Sequence, residues 1–556
     1  METPSVLQAV LRAVPLPLTA VLVVLAIPVL ALVISSVQTG ENEPWSLPNW
    51  KGIPVLGNTI QYMADNGSFI ARASLAMRTR DVVKFSLGPT PVYLVTGAQN
   101  VQALFRKSTS ISSDKFLLMV MGTVMCFTPK DYAKFANDKT GRLPEPVEGT
   151  AASHKGLRYW AEFHHHNARS LSLTSNTASL TAKFYEFFQE RVRPYPVGEW
   201  KAVNLLHFMR SQMAGAAIKA MTGERLLERS GEEDLLGAFW DYDTVTMRLV
   251  YALPKWMDPS AWRIRDRFHQ MAVEWLKKDF DPLSERESVP QEIDWHPVLG
   301  LAFMRDYLNW GKRIGLSVET RAGYFIGFLL GLNANSIPIA AWALFELVQD
   351  PSLWKAVQEE AESAFEAHPV SGERVLNIQT MLGLPLLQSV YAEALRLHVS
   401  VNVTREVISD TTTIAGYQLP KHALIQAPTY IASLNEKVWG TAENSASEFW
   451  AYRHIRYTTI HGSKDKKPEF AMAAGPSDFF PYGGGISMCP GRHFAKQEIM
   501  ATLAIIVTTF DVEMVEWVTM DGKTRSDRPA RDDLKWSGSA ALPPDRDMKV
   551  RWRRRF

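Results

Sequence analysis

The chain has 556 residues, 46% of them hydrophobic and 21% charged, with a formal net charge of +2. That balance excludes a disordered chain and leaves no global field to gather nucleic acid. Two cysteines, Cys126 and Cys489, are too few for a disulfide-stapled scaffold, and 17 Trp with 26 Phe suit a large apolar interior or an apolar ligand.

Residues 1–14 form a flank with one arginine, Arg12. Residues 15–37 follow without a charge and are long enough to cross a hydrocarbon core of about 30 Å, so the sequence predicts a transmembrane anchor. A secretory signal would start basic and carry a shorter apolar region of about 7–15 residues. Residues 38–54 hold Pro44, Pro48 and Pro54, each fixing φ, and predict a stiff linker. Residues 55–556 form one folded body.

In that body, alternation over residues 81–96 predicts a β-hairpin. Residues 155–400 read as mostly helical, with amphipathic runs at 179–192, 261–279 and 317–349. Within the last run, Pro338 has no N–H and clashes with the Ala334 carbonyl, which predicts a kink. Residues 401–461 read as irregular and strand-rich. A final helix spans about 491–510, followed by a polar, loop-rich tail whose basic end, from Arg551, reads either as a contact for anionic lipid or as disordered. The fold class is therefore mainly α with a smaller β part.

The most informative segment runs from Phe479 to Glu498. Gly483, Gly484 and Gly485 free the backbone ahead of Cys489, and a helix begins just after it. A thiolate there gains from the helix N-terminus and nearby N–H donors, as an iron-bound sulfur would. The alternatives are a small core cysteine or a phosphate loop, although no Lys-Ser/Thr follows at phosphate-loop spacing. The segment resembles the haem-binding signature of the cytochrome P450 family, Phe-x-x-Gly-x-x-x-Cys-x-Gly. Gly485, Cys489 and Gly491 match, Tyr482 stands at the Phe position, and Ser487 replaces the usual arginine.

Other segments support the resemblance in the right order. Glu393 and Arg396 form a Glu-x-x-Arg pair, which the family completes with a third residue, here Arg453. Trp160 and His164 resemble a Trp-x-x-x-Arg pair that holds haem propionates, and Arg405 stands where another propionate arginine is expected. The run His164–His165–His166 cannot share one helix face and does not read as a metal site. In the long helix, Ala334 and Asn335 replace the usual acid–Thr pair, leaving Asn335 and Ser336 as the catalytic candidates. This pattern is similar to the branch containing the sterol 7α- and 12α-hydroxylases and prostacyclin synthase.

The resemblance implies a cytochrome P450 fold over residues 55–556 on a single N-terminal span. It implies haem b ligated by Cys489, electrons from NADPH through NADPH-cytochrome P450 reductase, and a lipophilic substrate: terpenoid, steroid or polyketide-like. It also implies an endoplasmic reticulum membrane protein whose catalytic domain faces the cytosol, with no nucleic-acid partner. The alternative on the same scaffold is an electron-independent peroxide isomerase of the prostacyclin synthase type; a haem carrier without turnover is a third. Expected pocket walls are Met121, Met125, Phe127, Phe328, Leu332, Val401–Val403 and Ser537–Ala541.

Overall fold

Alternating Val, Phe and Tyr around a Gly-Pro step dictate the first ordered element. Strand β1 (Val82–Leu87) pairs antiparallel with β2 (Thr90–Val95), Val82 opposite Val95 and Leu87 opposite Thr90. Gly88 turns the chain at φ 55°, a conformation that side chains with a Cβ resist. The computed structural model describes residues 44–47, 57–77, 79–150, 156–286, 294–369, 372–459 and 466–556. The expected anchor at 15–37, the flank at 1–14 and most of the linker at 38–54 lie outside these residues.

The chain divides into two units. The smaller joins the residues up to Ser112 with 404–427. In it, Leu424–Gln426 run parallel to Val92–Leu94, and Tyr62, Phe69 and Phe85 pack ring against ring.

The larger unit, 113–403 with 428–556, is mainly helical and holds the main hydrophobic core. Five of its helices matter below: α1 (Tyr159–Ser172), α2 (Val318–Asn333), α3 (Ser336–Gln349), α4 (Pro385–His398) and α5 (Arg492–Thr509). The helical run Val318–Gln349 is long and apolar enough to cross a membrane, but 72% of its most apolar window is buried in protein, as befits a core element.

The expected kink is a break. α2 stops at Asn333 and α3 restarts at Ser336, consistent with Pro338 having no N–H for the preceding turn. Ser336 Oγ donates to the Leu332 carbonyl at 3.2 Å, and Asn335 Oδ1 accepts from the Ala541 N–H at 3.0 Å. The first engages a carbonyl that a continuous helix would satisfy internally, and the second ties the break to strand residue Ala541.

The C-terminal tail differs from the sequence expectation. Phe510–Val518 pairs antiparallel with Asp547–Arg554, which takes Trp200–Asn204 on its other edge. The terminal arginines serve this sheet: Arg551 Nε donates to Glu513 at 2.6 Å and Arg553 Nη2 to Asp511 at 2.7 Å. Cross-strand charge pairing hid a regular strand behind a polar sequence.

Candidate active site

The site is assembled within the larger unit. Gly483 and Gly485 take φ of 69° and 66°, letting the chain coil tightly before Cys489. The Cys489 N–H donates to the Tyr482 carbonyl at 3.0 Å, and the Tyr482 hydroxyl lies 2.6 Å from that of Tyr391 on α4. A tyrosine at the signature's Phe position thus ties the loop to a core helix. Burial pushes the free Cys489 thiol up, while the Gly491 and Arg492 N–H groups and the Arg492 charge pull the other way.

Cys489 is the more exposed of the two cysteines, and its open side lines a cavity of about 190 Å³. Helices α1, α2 and α5 supply much of its wall. From α1 come Phe163, Asn167 and Leu171, spaced by four; from α2 come Tyr324, Gly327, Phe328, Gly331 and Leu332; from α5, Phe494 and Ala495. Ser336 reaches it from the start of α3, and Met125 from the loop before α1. A Cβ added to Gly323 would lie 1.6 Å from the Met125 carbonyl oxygen, and one on Gly327 would lie 2.6 Å from Met125 Cε. The loop therefore seats directly on α2, and only glycine permits that approach. A Cβ on Gly331 meets nothing within 4 Å: the position faces the cavity.

Beneath α4 lies a buried ionic cluster. Arg396 donates through Nε and Nη2 to both Glu393 oxygens, at 2.8 and 2.7 Å, and Arg453 Nε donates to the same carboxylate at 2.8 Å. The remaining guanidinium N–H groups hold loop carbonyls, Ser433 and Ala446 for Arg396 and Trp439, Ser445 and Glu448 for Arg453. Burial disfavours the Glu393 carboxylate, yet hydrogen bonds from Arg396 and His454 and the two arginine charges outweigh it and hold the group at about 2. This cluster fixes the loop chain that leads into the cysteine segment.

A second buried acid stands behind the broken helix. Glu498 on α5 is fully buried; burial pushes its carboxyl up to about 8, with the Ser336 hydroxyl acting in the opposite direction. Its burial thus favours the neutral carboxyl.

Do these residues suit a haem? A soft sulfur donor faces a mainly apolar chamber, with a glycine and an opened helix across from it, and the buried Nη2 of Arg142 has no partner among the described residues. The donor set and the apolar lining fit. A glycine-loop thiol facing a broken core helix, braced by a buried Glu–Arg–Arg cluster, defines the haem-thiolate class. Residues 158–527 match the family described as Cytochrome P450, and the chain belongs to that family. It is a cytochrome P450 monooxygenase.

Relatives include the cytochrome P450 monooxygenase calL of Penicillium decumbens, 41% identical over 93% of this chain and 94% of its own. The cytochrome P450 monooxygenase fsoE of Humicola fuscoatra is 26% identical over 92% of this chain and 88% of its own. The 7-alpha-hydroxycholest-4-en-3-one 12-alpha-hydroxylase of Oryctolagus cuniculus is 24% identical over 64% of this chain and 67% of its own.

The sequence candidates fall in different places. Cys489, Gly491 and Ser336 line the cavity, Gly485 shapes the loop, and Glu393, Arg396 and Arg453 form the buried cluster. Asn335 turns its amide oxygen to Ala541. Trp160 is buried, with its indole N–H donated to the Phe135 carbonyl at 3.0 Å. His164 is half-buried, its pKa lowered by burial and by Arg142; His165 is exposed and His166 stacks on Trp310. Arg405 belongs to the smaller unit, where Nη1 donates to the Thr404 carbonyl at 2.8 Å. Of the expected walls, Met125, Phe328 and Leu332 line the cavity, while Met121 and Phe127 pack in the core. Sequence reasoning missed Phe163, Asn167 and Leu171, although their four-residue spacing after Trp160 marks one helix face. It also missed Arg142, which no motif flags.

Proposed function

We propose that this monooxygenase oxidises a lipophilic small molecule, of terpenoid, steroid or polyketide-like type, in secondary metabolite biosynthesis. The observation that carries the reading is the apolar chamber between the Cys489 thiol and the broken helix. The sterol hydroxylase among its relatives and the two fungal monooxygenases support the substrate class and the setting.

When bound, a haem would be held by the Cys489 thiolate and would supply oxygen activation. The residues do the rest. Phe163, Leu171, Phe328 and Leu332 exclude water and orient an apolar skeleton. Ser336 Oγ stands at the wall with the buried Glu498 carboxyl behind it, so a hydroxyl faces the chamber where the usual acid–Thr pair is absent. Asn335, the reason for weighing a peroxide isomerase, has its amide oxygen committed to the Ala541 N–H and acts as a brace across the break.

Electrons come from NADPH-cytochrome P450 reductase, and the uncharged 15–37 segment holds the protein in the endoplasmic reticulum membrane with its catalytic part in the cytosol. The test is the carbon monoxide difference spectrum of membranes carrying the protein, reduced by NADPH and reductase or by a chemical reductant. A thiolate-type band under both conditions is expected. A band with the chemical reductant alone, persisting after candidate substrates are added, would overturn the electron-dependent reading.

A further inference from the structure

Two cations that the family pattern places against haem carboxylates are missing from this chain. Ser487 stands in the signature loop where arginine is usual, and His164 stands on α1 where another arginine is usual. The structure carries a guanidinium to the same place from elsewhere. Arg142, in the irregular segment before α1, is only 8% exposed. Its guanidinium lies 5.1 Å from the centre of the Trp160 ring, and Nη1 is 3.5 Å from Ser487 Oγ. Ser113 Oγ lies 2.8 Å from that same serine oxygen.

The way Arg142 is paired matters. Asp114 engages Nε, leaving the edge made by Nη1 and Nη2 for something else. Nη2 is buried and has no partner among the described residues. A buried, unmatched guanidinium N–H is costly, and a planar fork suits a carboxylate. An arginine retained only to neutralise Asp114 would not leave that edge open beside a loop serine.

We propose that Arg142 supplies the haem propionate cation that the cysteine loop lacks, with Ser487 and Ser113 as neighbouring hydroxyl donors. The inference rests on the haem-thiolate reading above. It assigns to Ser487 a positive consequence: a small side chain clears room for the guanidinium arriving from the other segment.

The test follows haem loss, which does not depend on turnover. Detergent-solubilised full-length holoprotein is mixed with excess apoglobin, and haem transfer is followed optically. Arg142→Gln is expected to release haem at least about tenfold faster, the scale of one charge-assisted hydrogen-bonded contact. Adding Ser487→Arg to that variant, which restores the cation from the loop, is expected to slow release back towards the parent rate. Release from Arg142→Gln within about twofold of the parent would overturn the inference. So would a variant that yields no holoprotein and is not recovered by Ser487→Arg, since Arg142 would then act only through Asp114. The parent's carbon monoxide spectrum separates the two readings: no thiolate band there sinks the haem-thiolate reading itself, whereas a normal band with unchanged release in Arg142→Gln sinks only the propionate assignment.

Discussion

Replacing Glu393 by glutamine keeps its size and removes its charge. Arg396 and Arg453, 1% and 7% exposed, then lose the carboxylate that both engage. Removing one partner of a buried pair typically costs about 3–5 kcal/mol, because the other charge stays buried and uncompensated. Here two guanidiniums are stranded, so the upper part of that range applies. Unfolding entropy near 2.1 cal/mol/K per residue gives a unit of roughly 420 residues about 0.9 kcal/mol/K, so the melting temperature should fall by about 4–6 °C. The loss should also reach the cysteine loop, because the two arginines hold the carbonyls of the segment leading into it. The assay is thermal unfolding by circular dichroism at neutral pH, alongside the thiolate-type carbon monoxide band per unit of protein. A variant melting within about 1 °C of the parent with an undiminished band would refute the claim that this cluster braces the site.

Gly323→Ala places a methyl carbon 1.6 Å from the Met125 carbonyl oxygen. It should cost about 1–3 kcal/mol by overpacking and change the spectral shift produced by bound azoles as the Met125 loop moves, whereas Gly331→Ala should leave stability nearly unchanged. Glu498 titrates at about 8 in the folded protein against an ordinary 4.5, so its neutral form favours the fold below about pH 4.5 and that contribution is lost as pH rises towards 8. Glu498→Gln should therefore flatten the fall in melting temperature between about pH 4.5 and 8; an identical slope in both proteins would remove Glu498 as its cause. Tyr482→Phe leaves the buried Tyr391 hydroxyl without its 2.6 Å partner and should cost about 1–3 kcal/mol, while the double change with Tyr391→Phe should recover most of it. Equal losses in single and double variants would deny the coupling.

Much of the site was legible because its parts are local. The cysteine loop is one contiguous segment, and Glu393 and Arg396 share a helix face by their spacing alone. The β1–β2 hairpin was readable from alternation and one Gly-Pro step. What escaped was set by packing at long range. Arg142 reaches Ser487 across 345 positions and Asn335 reaches Ala541 across 206, with no periodicity to announce either. The terminal strand Asp547–Arg554 escaped for a related reason. Its alternation of Met548, Val550 and Trp552 against charged neighbours is visible, but the arginines acquire meaning only opposite Asp511 and Glu513.

Gly323, Gly327 and Gly331 recur every fourth residue along one side of α2, yet they differ in how freely each can change. The first is closed by backbone, so a substitution there must rebuild the neighbouring loop, whereas the second meets a methionine tip that can turn aside. The third opens on empty space beside the chemistry. A lineage exploring new substrates thus has an inexpensive dial at one turn of this helix: each methyl added at 331 trims the chamber without disturbing the frame that holds it.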